Sequence, residues 1–526
     1  NLWFATQGKG LFKYDNQTVK RFTTQNGLLY NQIFSVCEDK KGNIIVGSGL
    51  GINIIGKNNQ IDSVRIGDFK AKVGIKSIVS DNKDGFWIAT GNGLYFTKDF
   101  KSFKKYSTHN GLPNQNVYAI AVDYEGNTWF SLLDFGVVKF SGEKFINFGT
   151  SDSLKSKSIS SVMCNQSGDV WVSSDKGGAI AMLKEYKFNG LMLNDPKNKN
   201  SLLSNNVYCA IQDRNQNYWI GTLNGLNWFD GKKYTVYTDK EGLKNNTIRS
   251  LYEDKKGNIW VGTAAGINKI NESGLDKSFD PNNQIENDDI YFITEDKRGF
   301  VWFATEKGAV SVNPQTQQFI RYNDDSLFTA KRVVSIICDV QGNLWFGTKK
   351  GLFLYDGKSF TKISEEQGLP SNNIYSLLND NNKRIWIGSD KGITRFDFET
   401  YLKSGKINLR TYGREDGFIG VECNLNACCV DKNGRLWFGT IDGVTVYNPK
   451  QDIPNDIEPH SNISNIKLNF EEFDFKSYSD SIQSYTNLPV NLVLPYNKNH
   501  LTFEFIGLSL TSPEKVKYQW KLEGFD

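Results

Sequence analysis

Residues 116–148 read "NVYAIAVDYEGNTWFSLLDFGVVKFSGEKFINF". Apolar residues gather there in four runs of four to seven, each bounded by Gly, Asp or Asn, and none follows a helical period. The first run, Val117 to Val122, is continuously apolar, as an innermost strand buried on both faces must be. "D-x-x-G-N" then makes a hairpin turn, in which Asp123 can hydrogen-bond the turn backbone and Gly126 is free to take positive φ. The strand of Trp129 follows, then a turn ending at Gly136, a third strand, and a fourth run with aromatics two or three residues apart. One such unit reads as four antiparallel strands, the fourth at the outer edge.

The unit recurs. Variants of Gly-Asn-x-Trp-[Ile/Val/Phe]-Gly-Thr return eleven times, from "NLWFAT" at 1 through "GNIWVGT" at 257 to "GRLWFGT" at 434. The Trp column runs Trp3, Trp87, Trp129, Trp171, Trp219, Trp260, Trp302, Trp345, Trp386 and Trp437, with Ile45 in the remaining copy. Its steps are 41 to 43 residues, except 48 after Trp171 and 51 after Trp386. A four-stranded unit repeating at this interval is a propeller blade. Trp fills the wedge between blades, and the Gly two residues later keeps bulk off the same face.

Propellers usually have about four to eight blades, so eleven repeats predict two rings. Counting back seven from Trp437 starts a complete ring near residue 150. The expected fold is all-β: a partial first β-propeller of about four blades over 1–149 and a seven-bladed second β-propeller over 150–450. A linker and the start of a small β-sandwich are expected over 451–526. There "LTFEF" and "KVKYQWKLEGF" alternate as strands joined through "SLTSPEK". The last repeat lacks an outer strand, because "GVTVYNPKQ" at 443 runs directly into a Pro and Asp linker. "EKFINFG" at 143 is the candidate to supply that strand and close the ring. The first ring is expected to be cut short, since the chain opens in the middle of a blade.

Composition narrows the function. The 526 residues carry 62 Lys and Arg against 58 Asp and Glu, scattered along the chain, so a net +4 gives no case for nucleic acid or a membrane surface. No apolar run approaches the roughly 18 residues that cross a bilayer, and a signal peptide or anchor is expected outside this chain. The seven cysteines lie mostly in apolar strand-like runs such as "SVCED" and "SIICD", show no metal-ligand spacing and read as core fillers. His109, His460 and His500 are too scattered for a metal site or a nucleophilic triad, so no cofactor and no metal are expected. Glycosidase chemistry needs a specific carboxylate pair, or a Tyr nucleophile with its base, in one pocket. Here Asp and Glu recur at equivalent turn positions, as architecture would produce.

With strands running outward from the centre, the "T-x-x-G" loops and long connections such as "STHNGLPNQN" (107) and "SEEQGLPSNN" (364) share one face. The "D-x-x-G-N" turns lie on the other. Long variable loops favour the first face for recognition. The innermost strands of the second ring are expected to present Tyr208, Arg249, Tyr291, Arg332, Tyr375 and Asn424 there. Aromatic faces with Arg and Asn donors suit sugars or other polar ligands. The same side chains could instead plug the channel and satisfy one another. A protein-interaction scaffold is the alternative function, and a propeller glycosidase or lyase a more distant one.

At these residues a family resemblance emerges. The repeats resemble the two-component regulator propeller repeats of Bacteroidetes sensor proteins. "NHLTFEF…KYQWKLEGFD" resembles the opening of the triple-tyrosine domain that follows them. The resemblance implies the periplasmic sensor region of an inner-membrane histidine kinase, with two seven-bladed propellers and an Ig-like domain. It further implies a small-molecule ligand such as an oligosaccharide, a homodimer formed through the Ig-like domain, and anchoring by a segment outside this chain. Some members are hybrids with a receiver and a DNA-binding domain. "EDGFIGVECNLNA" at 415 is closer to plain sensor kinases than to the glycan-sensing hybrids.

Overall fold

The computed structural model describes residues 1–66, 74–81, 83–107, 112–140, 142–276, 279, 285, 287–323, 332–380, 384–513 and 516–521. Two compact units emerge: Ser141–Asp452, and Asn1–Phe140 together with Ile453–Asp526.

Among the described residues, the first of these units contains seven four-stranded antiparallel sheets. Their innermost strands are Ser161–Cys164, Val207–Gln212, Ile248–Glu253, Ile290–Glu295, Val333–Cys338, Ile374–Asn379 and Cys423–Val430. Each packs on the next, and the seventh packs on the first, so the sheets form a closed seven-bladed propeller. The outer strand of the seventh blade is Phe145–Phe148, with Phe145 opposite Tyr447 and Phe148 opposite Val444. This pairing is the closure anticipated from the missing outer strand. It also places the start of the compact unit at Ser141, ahead of the boundary expected at 150.

Two glycines show how tightly closure is specified. A Cβ at Gly443, where φ is +105°, would lie 2.2 Å from the Phe148 carbonyl oxygen. A Cβ at Gly439 would meet Ile159 of the first blade at 2.8 Å.

The Trp column is anchored as well as packed. Asp213, Asp254, Asp296, Asp339, Asp380 and Asp431 each accept a hydrogen bond from the indole N–H six residues later, at 2.9 to 3.1 Å. The other carboxylate oxygen accepts turn N–H groups, as at Asn215 and Asn217 beside Asp213. One side chain thus fixes the hairpin and locks the wedge-filling ring, and Trp260, Trp302 and Trp345 are fully buried.

In the other unit, Ile33–Val64 and Ile75–Tyr106 hold four-stranded sheets, whereas Leu2–Phe22 and Val117–Phe140 hold three-stranded ones. The fourth strand assigned above to the 116–148 repeat is the one that closes the complete ring of the other unit. At the C-terminal end the strand Leu501–Leu508 pairs with His460–Leu468. Val516–Lys521, expected as its partner strand, is not strand in the structure. Instead Tyr518 reaches back, its hydroxyl accepting the Gly507 N–H at 2.9 Å. Among the described residues no helix is long and apolar enough to cross a membrane.

Candidate functional site

Five of the seven innermost strands carry a one-residue bulge just after their first residue, which pushes one side chain out of the ladder. The bulged residues are Tyr208, Arg249, Tyr291, Val334 and Tyr375. Arg332 is therefore not the equivalent of Tyr208 or Arg249. It precedes its strand, and the bulge position of that blade belongs to Val334, which is buried.

A cavity of about 450 Å³ runs along the bore of the ring. Tyr208, Arg249, Tyr291 and Asn424 line it, together with Asp175 of a T-x-x-G-type hairpin; Arg332 and Tyr375 do not. Arg249 is well held: its guanidinium lies over the Tyr208 ring at 4.8 Å and its Nε donates to Asp289 Oδ1 at 3.2 Å. Tyr291 donates its hydroxyl to Glu306 Oε2 at 2.7 Å, and Arg332 stacks on its ring at 4.4 Å with Nε 3.1 Å from the same carboxylate oxygen. Burial first, then the Glu306 bond, pushes the Tyr291 hydroxyl well above the ordinary tyrosine range. Arg332 is thus a support behind Tyr291. Tyr375 stands apart, its hydroxyl raised by burial and by the nearby Asp390 and Glu422 carboxylates.

Asn424 faces the cavity but has a structural task. Its amide donates to Ile159 O at 2.8 Å and Thr440 O at 2.9 Å, stitching the seventh blade to the first. Its amide donors are committed to closure.

The seventh inner strand also fills part of the bore. Cys423 pairs with Thr440 and Cys428 with Phe438, so residues 424–427 oppose Gly439 alone and bulge inward. At the tip Asn426 donates to the carbonyls of Tyr291, at 3.1 Å, and Val334, at 2.7 Å, in the fourth and fifth blades. This plug explains why the cavity borders blades one to four and seven.

Sequence reasoning missed two residues here. Asn426 lies in the inward bulge, and its Oδ1 is shut off from solvent with no hydrogen-bond partner. Asp175 lines the cavity, and its Oδ1 is in the same state. Asp175 occupies a hairpin position held by Leu223, Ala264, Glu306, Lys349, Asp390 and Ile441 in the other blades, and that variability was the available signal. Among the described residues no group of three or more His, Cys, Asp or Glu side chains is placed to hold a metal ion.

This geometry defines a β-propeller with a partly plugged, side-chain-lined bore. Six segments, 111–133, 201–224, 242–265, 327–350, 368–391 and 421–442, match the two-component regulator propeller family. The chain therefore carries two-component regulator propeller repeats. Among solved structures it resembles the extracellular domain of the hybrid two-component system BT3049 of B. thetaiotaomicron, with a TM-score of 0.73 and 24% identity over 97% of this chain and 68% of that one. The extracellular domain of the hybrid system BT4673 of the same organism aligns with a TM-score of 0.50 and 18% identity, over 96% of this chain and 76% of that one. These likenesses support the fold. No curated protein matches the chain.

Proposed function

We propose that this chain is the extracytoplasmic, periplasmic sensor region of a two-component receptor. In this reading the bore of the complete ring takes a small ligand, and occupancy is relayed to a histidine kinase outside the chain. The observation that carries the reading is one cavity of small-ligand size in which Tyr208, Arg249 and Tyr291 converge from three successive blades. The family repeats and the two extracellular-domain relatives support the signalling context. A non-catalytic role fits the carboxylates, because the repeated Asp residues are each committed to a turn and an indole N–H. Relay requires that the ligand bind one of two arrangements better than the other, since equal affinity shifts nothing. A homodimer through a C-terminal Ig-like domain would provide those arrangements. A thermal-shift screen of the purified chain against an oligosaccharide panel and other small polar metabolites tests the reading. The expected result is a stabilising hit that Arg249→Ala abolishes; hits indifferent to Arg249→Ala would place recognition elsewhere.

A further inference from the structure

We infer, on the reading that the bore is the sensing site, that its ligand is an apolar α-amino acid, with its carboxylate on Arg249, its ammonium on Asp175 and its side chain in the thiol-lined depth of the cavity. Three independent features of the lining point to this chemistry.

The first is Asp175. A carboxylate oxygen shut off from solvent with no hydrogen-bond partner is a costly arrangement unless a bound group donates to it. Asp175 lies on the cavity wall, so a side-chain rotation that turns this oxygen into the open space lets a ligand supply the missing donor, and an ammonium gives the strongest, charge-assisted bond. The second is Arg249. Asp289 takes its Nε and Tyr208 covers one face of its guanidinium. Among the described residues its two Nη atoms carry no hydrogen bond, and a carboxylate matches that edge. Acidic and basic recognition groups thus share one small cavity, which suits a zwitterionic head better than a simple anion or cation.

The third is the rest of the wall. Farther along the strands come Met163, Cys164, Ile211, Leu251, Cys428 and Cys429. Burial pushes the Cys428 thiol up to about 12, so it lines the cavity as a neutral, weakly polar group. Ser250 lines it too, but donates its hydroxyl to Ile290 O at 3.1 Å. Ser161 and Tyr252 add polar groups to the wall, but a sugar laid along the thiols and aliphatic groups would set some of its hydroxyls against them, whereas an apolar side chain fits that part of the lining. About 450 Å³ accommodates a single amino acid with room for its side chain.

Isothermal titration calorimetry on the whole chain tests the inference with L-leucine, L-methionine and L-phenylalanine. The comparison ligands are 4-methylpentanoate, which lacks the ammonium, 3-methylbutylamine, which lacks the carboxylate, and maltohexaose. At least one amino acid should bind, and each truncated analogue should bind at least about tenfold more weakly than L-leucine, because one buried recognition group is then left unpaired. Asp175→Asn should weaken the amino acid by a similar factor and leave 4-methylpentanoate unchanged. Arg249→Gln should weaken the amino acid and leave 3-methylbutylamine unchanged. The analogue comparison uses the unaltered protein, so it stands even if a variant fails to fold. Analogues that bind as tightly as leucine, or affinity indifferent to Asp175→Asn, would overturn the assignment. Arg249-dependent binding of maltohexaose with none of the amino acids would sink this inference and leave the sensing site standing; no binding by either class would count against both.

Discussion

Replacing Asp339 with Ala should destabilise the complete ring by about 3 kcal/mol, and most of that cost should depend on Trp345. The Asp339 carboxylate serves five donors: the N–H groups of Gln341, Gly342 and Asn343 at 2.8 to 2.9 Å, the Asn343 amide at 2.9 Å and the Trp345 indole at 3.0 Å. Turn N–H groups can recover part of their loss from water, and their share resembles that of a lost helix cap, about 1 kcal/mol. The indole N–H cannot, because Trp345 is fully buried, and a stranded buried donor costs about 1–3 kcal/mol. Urea unfolding followed by far-ultraviolet circular dichroism measures the loss. A double-mutant cycle with Trp345→Phe isolates the indole share, and the coupling should be about 1–2 kcal/mol, since Phe has no N–H to strand. Asp339→Asn should fall between, because it keeps one acceptor but turns an amide toward the indole. Asn165 already fills this position in the first blade, where its amide donates to the Tyr218 hydroxyl at 3.2 Å instead. A loss under about 1 kcal/mol for Asp339→Ala, or no coupling to Trp345, would refute the claim that the recurring Asp residues are architectural.

Ring closure gives a second prediction: Gly443→Val should cost more than about 3 kcal/mol and expose residues 141–149 to limited proteolysis, because its Cβ would strike the Phe148 carbonyl from a positive-φ backbone. Mass spectrometry of the fragments would detect it, and unchanged resistance would count against closure. Glu125 sets a pH dependence. Burial pushes its carboxyl up, but hydrogen bonds from the Thr511 hydroxyl and the Leu510 and Thr511 N–H groups outweigh this and pull it down to about 2. Its folded value is depressed, so its contribution is present above the ordinary carboxylate range and is lost as pH falls toward about 2. Hydrogen exchange at Leu510 and Thr511, corrected for intrinsic rates, should therefore lose protection over that interval in the native chain, and Glu125→Gln should remove the dependence. Finally, burial pushes the Cys209 and Cys428 thiols up to about 12, so at pH 8 alkylation should be roughly a thousandfold slower than in the unfolded chain. Rapid labelling of either would contradict the cavity environment described.

Much of the fold was legible because a wedge between blades admits few solutions. Most blades carry a bulky ring, a hairpin Asp and a small residue facing the neighbour, so the period survives in the sequence. The displaced outer strand was legible for a similar reason, since "GVTVYNPKQ" leaves an edge that the chain must cover. The site was legible only in part. Tyr208, Arg249 and Tyr291 share a bulge that follows the Val or Ile opening each strand. Arg332 carries the expected chemistry, but alignment on Ser250, Ser335 and Ser376 puts Val334 at the bulge position. Asn424 occupies the expected place, but its partner Ile159 is remote in sequence, and no local pattern shows that its donors are taken. The plug depends on the pairing of Cys428 with Phe438, which spacing alone does not fix.

On the proposed reading, this chain meets its ligand in the bore of the complete ring, between Tyr208, Arg249 and Tyr291. A crystal structure of the chain with the strongest hit from the small-molecule screen tests it most directly. Ligand density is expected against Arg249 and Asp175 inside the bore, with the Asn426 contacts to Tyr291 and Val334 intact or shifted by the occupant. Density on the long connections at 107–116 or 364–373, with the bore empty, would contradict it.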